Sequence, residues 1–198
     1  MAFLSPMRFG SGGGHSVWSG VRRALLAALL LSGLNLMAQT VATREYQVKA
    51  VFLFNFSQFV TWPTNAFPEA QTPLTIGVLG EDPFGTYLDE TVRGEKVNGH
   101  PLVIQRYRSI KEVKGCQILF VSRSESKRVE QILADLQGKN ILTVSDIEGF
   151  AAKGGIVRFI AEQNKIHFRI NLQAAKDAGL IISSKLLRLA EIVESGKD

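Results

Sequence analysis

Short runs of apolar residues alternate with amphipathic segments between residues 74 and 144. Runs typical of buried or half-buried strands occupy 74–80, 101–107, 116–121 and 141–144. Apolar residues recur at helical spacing in 84–92 and 125–136, and both segments lie between predicted strands. This order predicts an α/β fold with a mainly parallel sheet and helices on both faces.

The pattern changes after residue 146. Two strand-like runs, 156–161 and 165–170, are joined by the short polar segment 162–164, which predicts a β-hairpin and therefore a mixed sheet. Asn171 is suited to cap a following helix that runs through Lys176.

The last apolar segment follows Ser183 and Ser184. It contains Leu186, Leu187, Leu189, Ala190, Ile192 and Val193. These positions predict a final amphipathic helix over 183–193. Its apolar stripe is wider than one packing surface requires, so we expect part of it to form an interaction patch.

A further helix is predicted over 44–60, where apolar residues occupy much of the circumference. Such a helix must be buried on several sides or dock on another surface. Trp62-Pro63 ends it, because a residue before proline is disfavoured in the helical region.

The N-terminal region has the features of an export signal. Arg22-Arg23 precede an apolar run over 24–38, which is shorter than the roughly 20 residues of a membrane-spanning helix. We therefore assign 1–42 to a signal peptide with its polar start and 43–198 to a single domain. The alternative is an uncleaved anchor in the inner membrane.

Charge and cysteine content restrict the kinds of function and of covalent cross-link that the chain can have. The formal net charge is +5, but without Arg8, Arg22 and Arg23 the chain keeps 20 basic and 18 acidic residues. That balance gives no basis for nucleic-acid binding. Cys116 is the only cysteine, so no internal disulfide can form, and its place at the start of an apolar run predicts a buried thiol.

No catalytic or metal-binding motif is recognisable. The glycines of 77–80 lack the pattern of a phosphate-binding loop, and acidic Glu81 and Asp82 follow them. The histidines have no metal-ligand spacing, and no Gly-x-Ser-x-Gly is present. We therefore predict a protein that is not an enzyme and that uses no cofactor or metal.

Candidate binding residues fall into two groups. Asp82 and Asp146 follow predicted strands, at the sheet edge where open α/β folds bind ligands, and with Trp62 they are candidates for a ligand crevice. The plainer alternative is that the two aspartates cap a helix and a turn. His167 and Arg169 share one face of the hairpin, and with Asn171 they are candidates for contact with a partner or an anion. The alternative there is a solvated edge strand.

Taken together, several segments resemble the YfiR-like periplasmic proteins. In order along 45–193 they are Phe54-Asn55-Phe56, 59–63 (FVTWP), 76–85 (IGVLGEDPFG), 116–122 (CQILFVS), 142–146 (LTVSD), Phe150, 154–156 (GGI), 167–172 (HFRINL) and 183–190 (SSKLLRLA). The resemblance implies a periplasmic α/β domain that represses a membrane-bound diguanylate cyclase by binding its periplasmic sensor. Redox-responsive members carry additional cysteines, whereas Cys116 stands alone here.

We therefore predict an exported regulatory module that represses a membrane-bound diguanylate cyclase or a similar sensor by protein–protein contact in the periplasm. We also expect self-association, with a homodimer as the simplest form. The alternative is a periplasmic protein that binds a small molecule at the strand ends.

Overall fold

A computed structural model describes residues 44–163, 165–194 and 196. The predicted signal segment, 1–42, lies outside these residues. Helix α1 occupies residues 44–59 and buries Ala50, Leu53 and Phe56 completely. Val48 and Val51 on the other side of α1 stay exposed, so the helix docks through one broad face rather than being enclosed.

The described residues after α1 form ten strands. They are β1 (Val60–Thr61), β2 (Leu74–Leu79), β3 (Lys96–Val97), β4 (His100–Tyr107), β5 (Ile118–Val121), β6 (Leu142–Ser145), β7 (Val157–Glu162), β8 (Lys165–Asn171), β9 (Ile181–Ile182) and β10 (Glu191–Val193). Within the described residues eight of them form one sheet, in the order β10-β8-β7-β6-β5-β2-β4-β3. Only β3/β4 and the hairpin β7/β8 are antiparallel within that sheet. β1 and β9 form a separate antiparallel ribbon.

Four shorter helices connect these strands: α2 (Tyr87–Val92), α3 (Val129–Asp135), α4 (Leu172–Asp177) and α5 (Ser184–Leu187). A 3-10 segment, Arg123–Arg128, directly precedes α3. The side chain of Asn171 accepts a hydrogen bond from the Ala174 amide, as its predicted role as the cap of α4 requires.

Two apolar cores lie on opposite faces of the sheet. The larger core packs α1 on the sheet, where Phe52 and Phe56 contact Phe159 and Phe168 with ring centroids 5.5–6.0 Å apart. The second core packs α3 on the other face. The mixed, mainly parallel α/β architecture is therefore confirmed.

The predicted final helix over 183–193 is wrong. The helix ends at Leu187, and residues 191–193 form β10, which pairs in parallel with β8. The consecutive pairs Leu186-Leu187 and Ile192-Val193 suit a strand as well as a helix. Residues 191–193 form a strand because they pair with β8 of the hairpin, about twenty residues earlier in the chain. A local sequence pattern cannot show such a pairing.

Candidate functional site

Asp146 directly follows β6, at the carboxyl edge of the sheet. The hydroxyl of Ser145 donates to the Val121 carbonyl (2.7 Å) and accepts from the Ile147 amide (3.0 Å), which turns the chain sharply at this point. The Asp146 side chain is 1% exposed, so its carboxylate is buried at the edge of the sheet.

Three side chains from distant segments meet this carboxylate. Asp146 Oδ2 accepts from Lys49 Nζ (2.5 Å) and from the Tyr46 hydroxyl (2.8 Å), both on α1. Arg123 Nε lies 3.2 Å from Oδ1 and forms an ion pair, although no hydrogen bond to Oδ1 forms within the described residues. We call Tyr46, Lys49, Arg123 and Asp146 the buried ion network.

Lys49 is the least expected member of this network, because its side chain is 0% exposed. Its ammonium also pairs with Glu45 and lies 4.5 Å from the Tyr46 ring centroid. Burial, followed by the nearby Asp146 carboxylate, raises the pKa of Tyr46 well above its ordinary value. The phenol therefore stays protonated and donates to Asp146 throughout the neutral range.

Asp82 has a separate structural role. Its Oδ1 accepts from the Phe84 amide (2.8 Å), and its Oδ2 accepts from Arg106 Nε (2.7 Å). Arg106 also binds both carboxylate oxygens of Asp89 and the Gly85 carbonyl. This hydrogen bonding lowers the pKa of Asp89. Asp82 thus caps the turn after β2 and pairs with Arg106 of β4, but it does not cap α2, whose N-cap residue is Thr86.

Trp62 lies at the opposite edge of the sheet. Its Nε1 donates to the carbonyl of Gln117 (3.2 Å), the residue before β5, so the ring sits at the amino ends of the strands. A cavity of about 350 Å³ there is lined by Trp62, Phe67 and His100 among others. The structure therefore does not bring Trp62 into one crevice with Asp82 and Asp146. Those two aspartates share the carboxyl edge, but β5 separates β2 from β6 and their carboxylates bind different partners.

The three candidate residues of the hairpin, His167, Arg169 and Asn171, differ in exposure. His167 is exposed, whereas Arg169 is 24% exposed and its Nε donates to Glu191 of β10 (2.9 Å). Arg158 is the direct cross-strand neighbour of Arg169. Asn171 is completely buried, and its Nδ2 donates to the Ala151 carbonyl (3.0 Å). Asn171 therefore has an interior, structural role, whereas His167 is exposed and Arg169 is partly exposed.

The structure also confirms that the Cys116 side chain is buried. Its thiol donates to the Ile118 carbonyl (3.0 Å), and burial raises the pKa of Cys116 to about 12. Burial, followed by the neighbouring thiol, raises the pKa of Tyr107 to about 12 as well. Such a thiol is poorly nucleophilic at neutral pH, because the thiolate is the reactive form.

Within the described residues, no group of three or more histidine, cysteine or acidic side chains could hold a metal ion. None of the helices in the same residues is both long enough and apolar enough to cross a membrane.

The sequence matches a known family over most of its length. The family model described as YfiR/HmsC-like covers residues 46–191. No protein of curated function matches the chain significantly. The match spans α1 through the first residue of β10, and it confirms the resemblance drawn from the sequence. The chain therefore belongs to the YfiR/HmsC-like family, whose members are regulators in cyclic-di-GMP signalling.

Proposed function

We propose that this protein is exported to the periplasm and represses a membrane-bound diguanylate cyclase by direct contact with the cyclase's periplasmic part. We further propose that the contact is made by His167, Arg169, Leu189, Glu191 and Ile192, which we call the C-terminal edge surface. Family membership supports the class of partner. The exposure of this surface supports its location.

The apolar part of the C-terminal edge surface is the observation that carries the proposal. Leu189 is 70% exposed and Ile192 is 46% exposed, although the protein has two well-filled cores in which to bury such residues. Exposed apolar side chains that lie close together mark interaction sites more often than scattered ones do. Within the described residues β10 also ends the sheet, and an edge strand can offer its outer backbone groups to a partner.

The polar part of the same surface adds specificity. Glu191 and Arg169 are register partners on β10 and β8, and Ile192 faces the opposite side of the sheet because side chains alternate along a strand. A guanidinium can bind a carboxylate through two parallel hydrogen bonds. The partner is therefore expected to meet the edge strand from both sides, with an acidic group on the side of Arg169 and an apolar group on the side of Ile192.

The buried ion network gives no support to a catalytic role. Lys49 and Asp146 bind each other and neighbouring side chains, and the thiol of Cys116 is buried. The described residues contain no nucleophile paired with a base. A binding function is the one that the geometry supports best.

The test uses two matched variants. Leu189→Lys should abolish capture of the cyclase from detergent-solubilised membranes and raise cellular cyclic-di-GMP. Ile181→Lys changes an equally exposed residue, 70%, on the separate β1–β9 ribbon and should leave both readouts unchanged. Thermal melts of both proteins check folding. Equal capture by the two variants would remove the C-terminal edge surface from the interface.

A homodimer can use the same sheet edge, and we include self-association through β10 in the proposal. Size-exclusion chromatography with light scattering, run on the same two variants, separates the two uses of the edge. Loss of the dimer without loss of capture would assign the edge to self-association and place the cyclase contact elsewhere.

A further inference from the structure

The segment that joins β4 to β5 crosses one face of the sheet. Because β2 lies between β4 and β5, residues 108–117 must pass over it to reach β5. Cys116 of this segment belongs to the second core, which places the segment on the same face as α3. The Leu142 amide donates to the Gln117 carbonyl (2.8 Å), so the loop 138–141 after α3 ends beside the crossing segment. The two loops therefore meet at the amino edge of the sheet.

A cavity of about 420 Å³ lies between these two loops, and we call it the crossover cavity. Its lining includes residues 113–117 of the crossing segment and residues 139–141 of the loop after α3. Sites for small organic ligands in proteins commonly have volumes in this range. The crossover cavity is therefore large enough for a small molecule or for the headgroup of a lipid.

The charged side chains that line the crossover cavity are all basic. They are Lys111, Lys114 and Lys139, and each of them is exposed. None of the three forms an ion pair or a side-chain hydrogen bond within the described residues. A cleft that is lined by one sign of charge between walls of low dielectric constant concentrates the potential and attracts counter-ions. The lining therefore favours an anion.

Acidic side chains near the cavity do not cancel this charge. Glu112 accepts a hydrogen bond from the Arg108 amide (3.1 Å), which turns its carboxylate toward the end of β4. Asp177 lines an adjacent cavity together with Lys139, but no ion pair forms between them within the described residues. Asp135, at the end of α3, lines neither cavity. Three lysines against the two nearer carboxylates, Glu112 and Asp177, still leave one positive charge.

The main chain of the crossing segment adds hydrogen-bond donors. The backbone amides of Lys114, Gly115 and Cys116 donate no hydrogen bond within the described part of the chain, and all three residues line the cavity. Gly115 has a φ of 60°, and amides beside such a left-handed residue can converge on an anion. The Cys116 thiol adds no opposing charge at neutral pH, because burial raises its pKa to about 12. Ammonium groups and unpaired amides are the donors that phosphate sites commonly use.

We propose that the crossover cavity binds a phosphate group, carried either by a small soluble molecule or by the headgroup of an anionic lipid. Lys111, Lys114 and Lys139 supply the positive charge, and the amides of 114–116 supply further donors. A phosphate monoester carries a charge of about −1.5 to −2 at neutral pH, which several ammonium groups match better than a single one does. The crossover cavity shares no residue with the C-terminal edge surface, so it is independent of the proposed contact with the cyclase.

Isothermal titration calorimetry on the purified full chain tests the site with glycerol 3-phosphate and with neutral glycerol. Glycerol 3-phosphate should bind, and glycerol should not. The triple variant Lys111→Gln/Lys114→Gln/Lys139→Gln should weaken the binding about tenfold or more, because charge-assisted contacts are lost. Lys139→Glu alone, which puts an acid on one wall of the cavity, should also weaken it. Thermal melts check that each variant folds.

Vesicles of phosphatidylglycerol distinguish the two sources of the phosphate. The fraction of protein that sediments with them is compared between the unchanged chain and the triple variant, both of which keep residues 1–42. A smaller fraction for the triple variant would show that a lipid headgroup reaches the site. Binding of glycerol 3-phosphate that depends on the three lysines, with equal sedimentation of the two proteins, would restrict the site to soluble molecules.

The matched control is Lys96→Gln/Lys127→Gln/Lys165→Gln, which removes the same charge from three exposed lysines outside the cavity. It should bind both probes as the unchanged protein does. The proposal would be overturned if neither glycerol 3-phosphate nor the vesicles bound in a way that depends on the three lysines of the cavity. Equal binding of glycerol, or an equal loss in the control, would also overturn it. None of these outcomes bears on capture of the cyclase.

Discussion

At the scale of single residues, Lys49 is the position where sequence and structure differ most informatively. It lies in a helix that is apolar around much of its circumference, between Val48 and Ala50. Lysine is almost never fully buried unless it is paired. A charge in such a helix was thus a signal for a buried partner, but the partner, Asp146, is 97 residues away and could not be identified without the fold.

We expect Lys49→Met to lower the free energy of unfolding by about 3–5 kcal/mol, because it leaves the Asp146 carboxylate buried without its main counter-charge. Urea denaturation followed by circular dichroism measures the change. Adding Asp146→Asn should cost less than the two single losses combined, since the second change removes the uncompensated charge. Lys139→Met, at an exposed lysine, is the control and should stay within about 0.5 kcal/mol. An equally small effect at Lys49 would show that the pair adds nothing to stability.

Cys116 leads to a prediction about alkaline pH. Burial raises its pKa from an ordinary 9.0 to about 12. Between these values the unfolded chain has lost the thiol proton and the native protein has kept it, so unfolding is favoured as the pH rises. We expect the free energy of unfolding to fall in this window by up to about 1.4 kcal/mol per pH unit from this group.

The variant Cys116→Ala isolates that contribution. Urea midpoints between pH 9 and pH 10 are the most useful, because the ordinary pKa of Tyr107, 10.0, lies above that window. The variant should show a shallower dependence on pH than the unchanged protein, whatever its absolute stability. Parallel slopes would mean that the thiol does not titrate differently in the two states.

At the scale of elements, the sequence pattern predicts the strands, turns and caps that depend on neighbouring residues. The four strands predicted between residues 74 and 144, the hairpin and the cap at Asn171 are confirmed, because each is marked by its own residues. The two-residue strands β1, β3 and β9 were not predicted, since so short a run carries no periodicity. The sequence predicts a helix in place of β10, because the pairing of β10 with β8 is not visible in its own residues.

A designed disulfide tests the register of β10 against the helix that its sequence favours. Glu191 and Arg169 are register partners on neighbouring strands, which lie about 4.8 Å apart and within the reach of a disulfide. We expect Arg169→Cys/Glu191→Cys to form an intramolecular disulfide under mild oxidation. Free thiols counted under denaturing conditions give the readout.

The matched control for that experiment is Lys165→Cys/Glu191→Cys, which places the first cysteine four residues back along β8. At about 3.3 Å per residue the two positions are then too far apart to bridge. Equal yields of disulfide in the two proteins would contradict the assigned register and favour a mobile or helical C-terminal segment.

At the scale of the whole molecule, the assembly of the sheet decides which side chains lie together. Within the described residues its last strand, β10, carries part of the C-terminal edge surface that we propose as the contact with the partner. The candidate crevice of Trp62, Asp82 and Asp146 combined residues from both ends of the strands. The order of these residues along the chain does not show which of them share an edge of the sheet, because that depends on how the strands assemble.

Redox chemistry is the last property that concerns the molecule as a whole. The chain has one cysteine, so no internal disulfide can stabilise it or switch it, even in an oxidising compartment. The stability must therefore come from the two cores and the sheet between them. We expect the thermal midpoint of the purified protein to be the same with and without reducing agent, whereas loss of a native disulfide typically costs about 2–5 kcal/mol. A downward shift on reduction would require a bridge between two chains. Because Cys116 is buried, such a bridge could form only if the packing around its thiol opened, and that would contradict the structure described for this core.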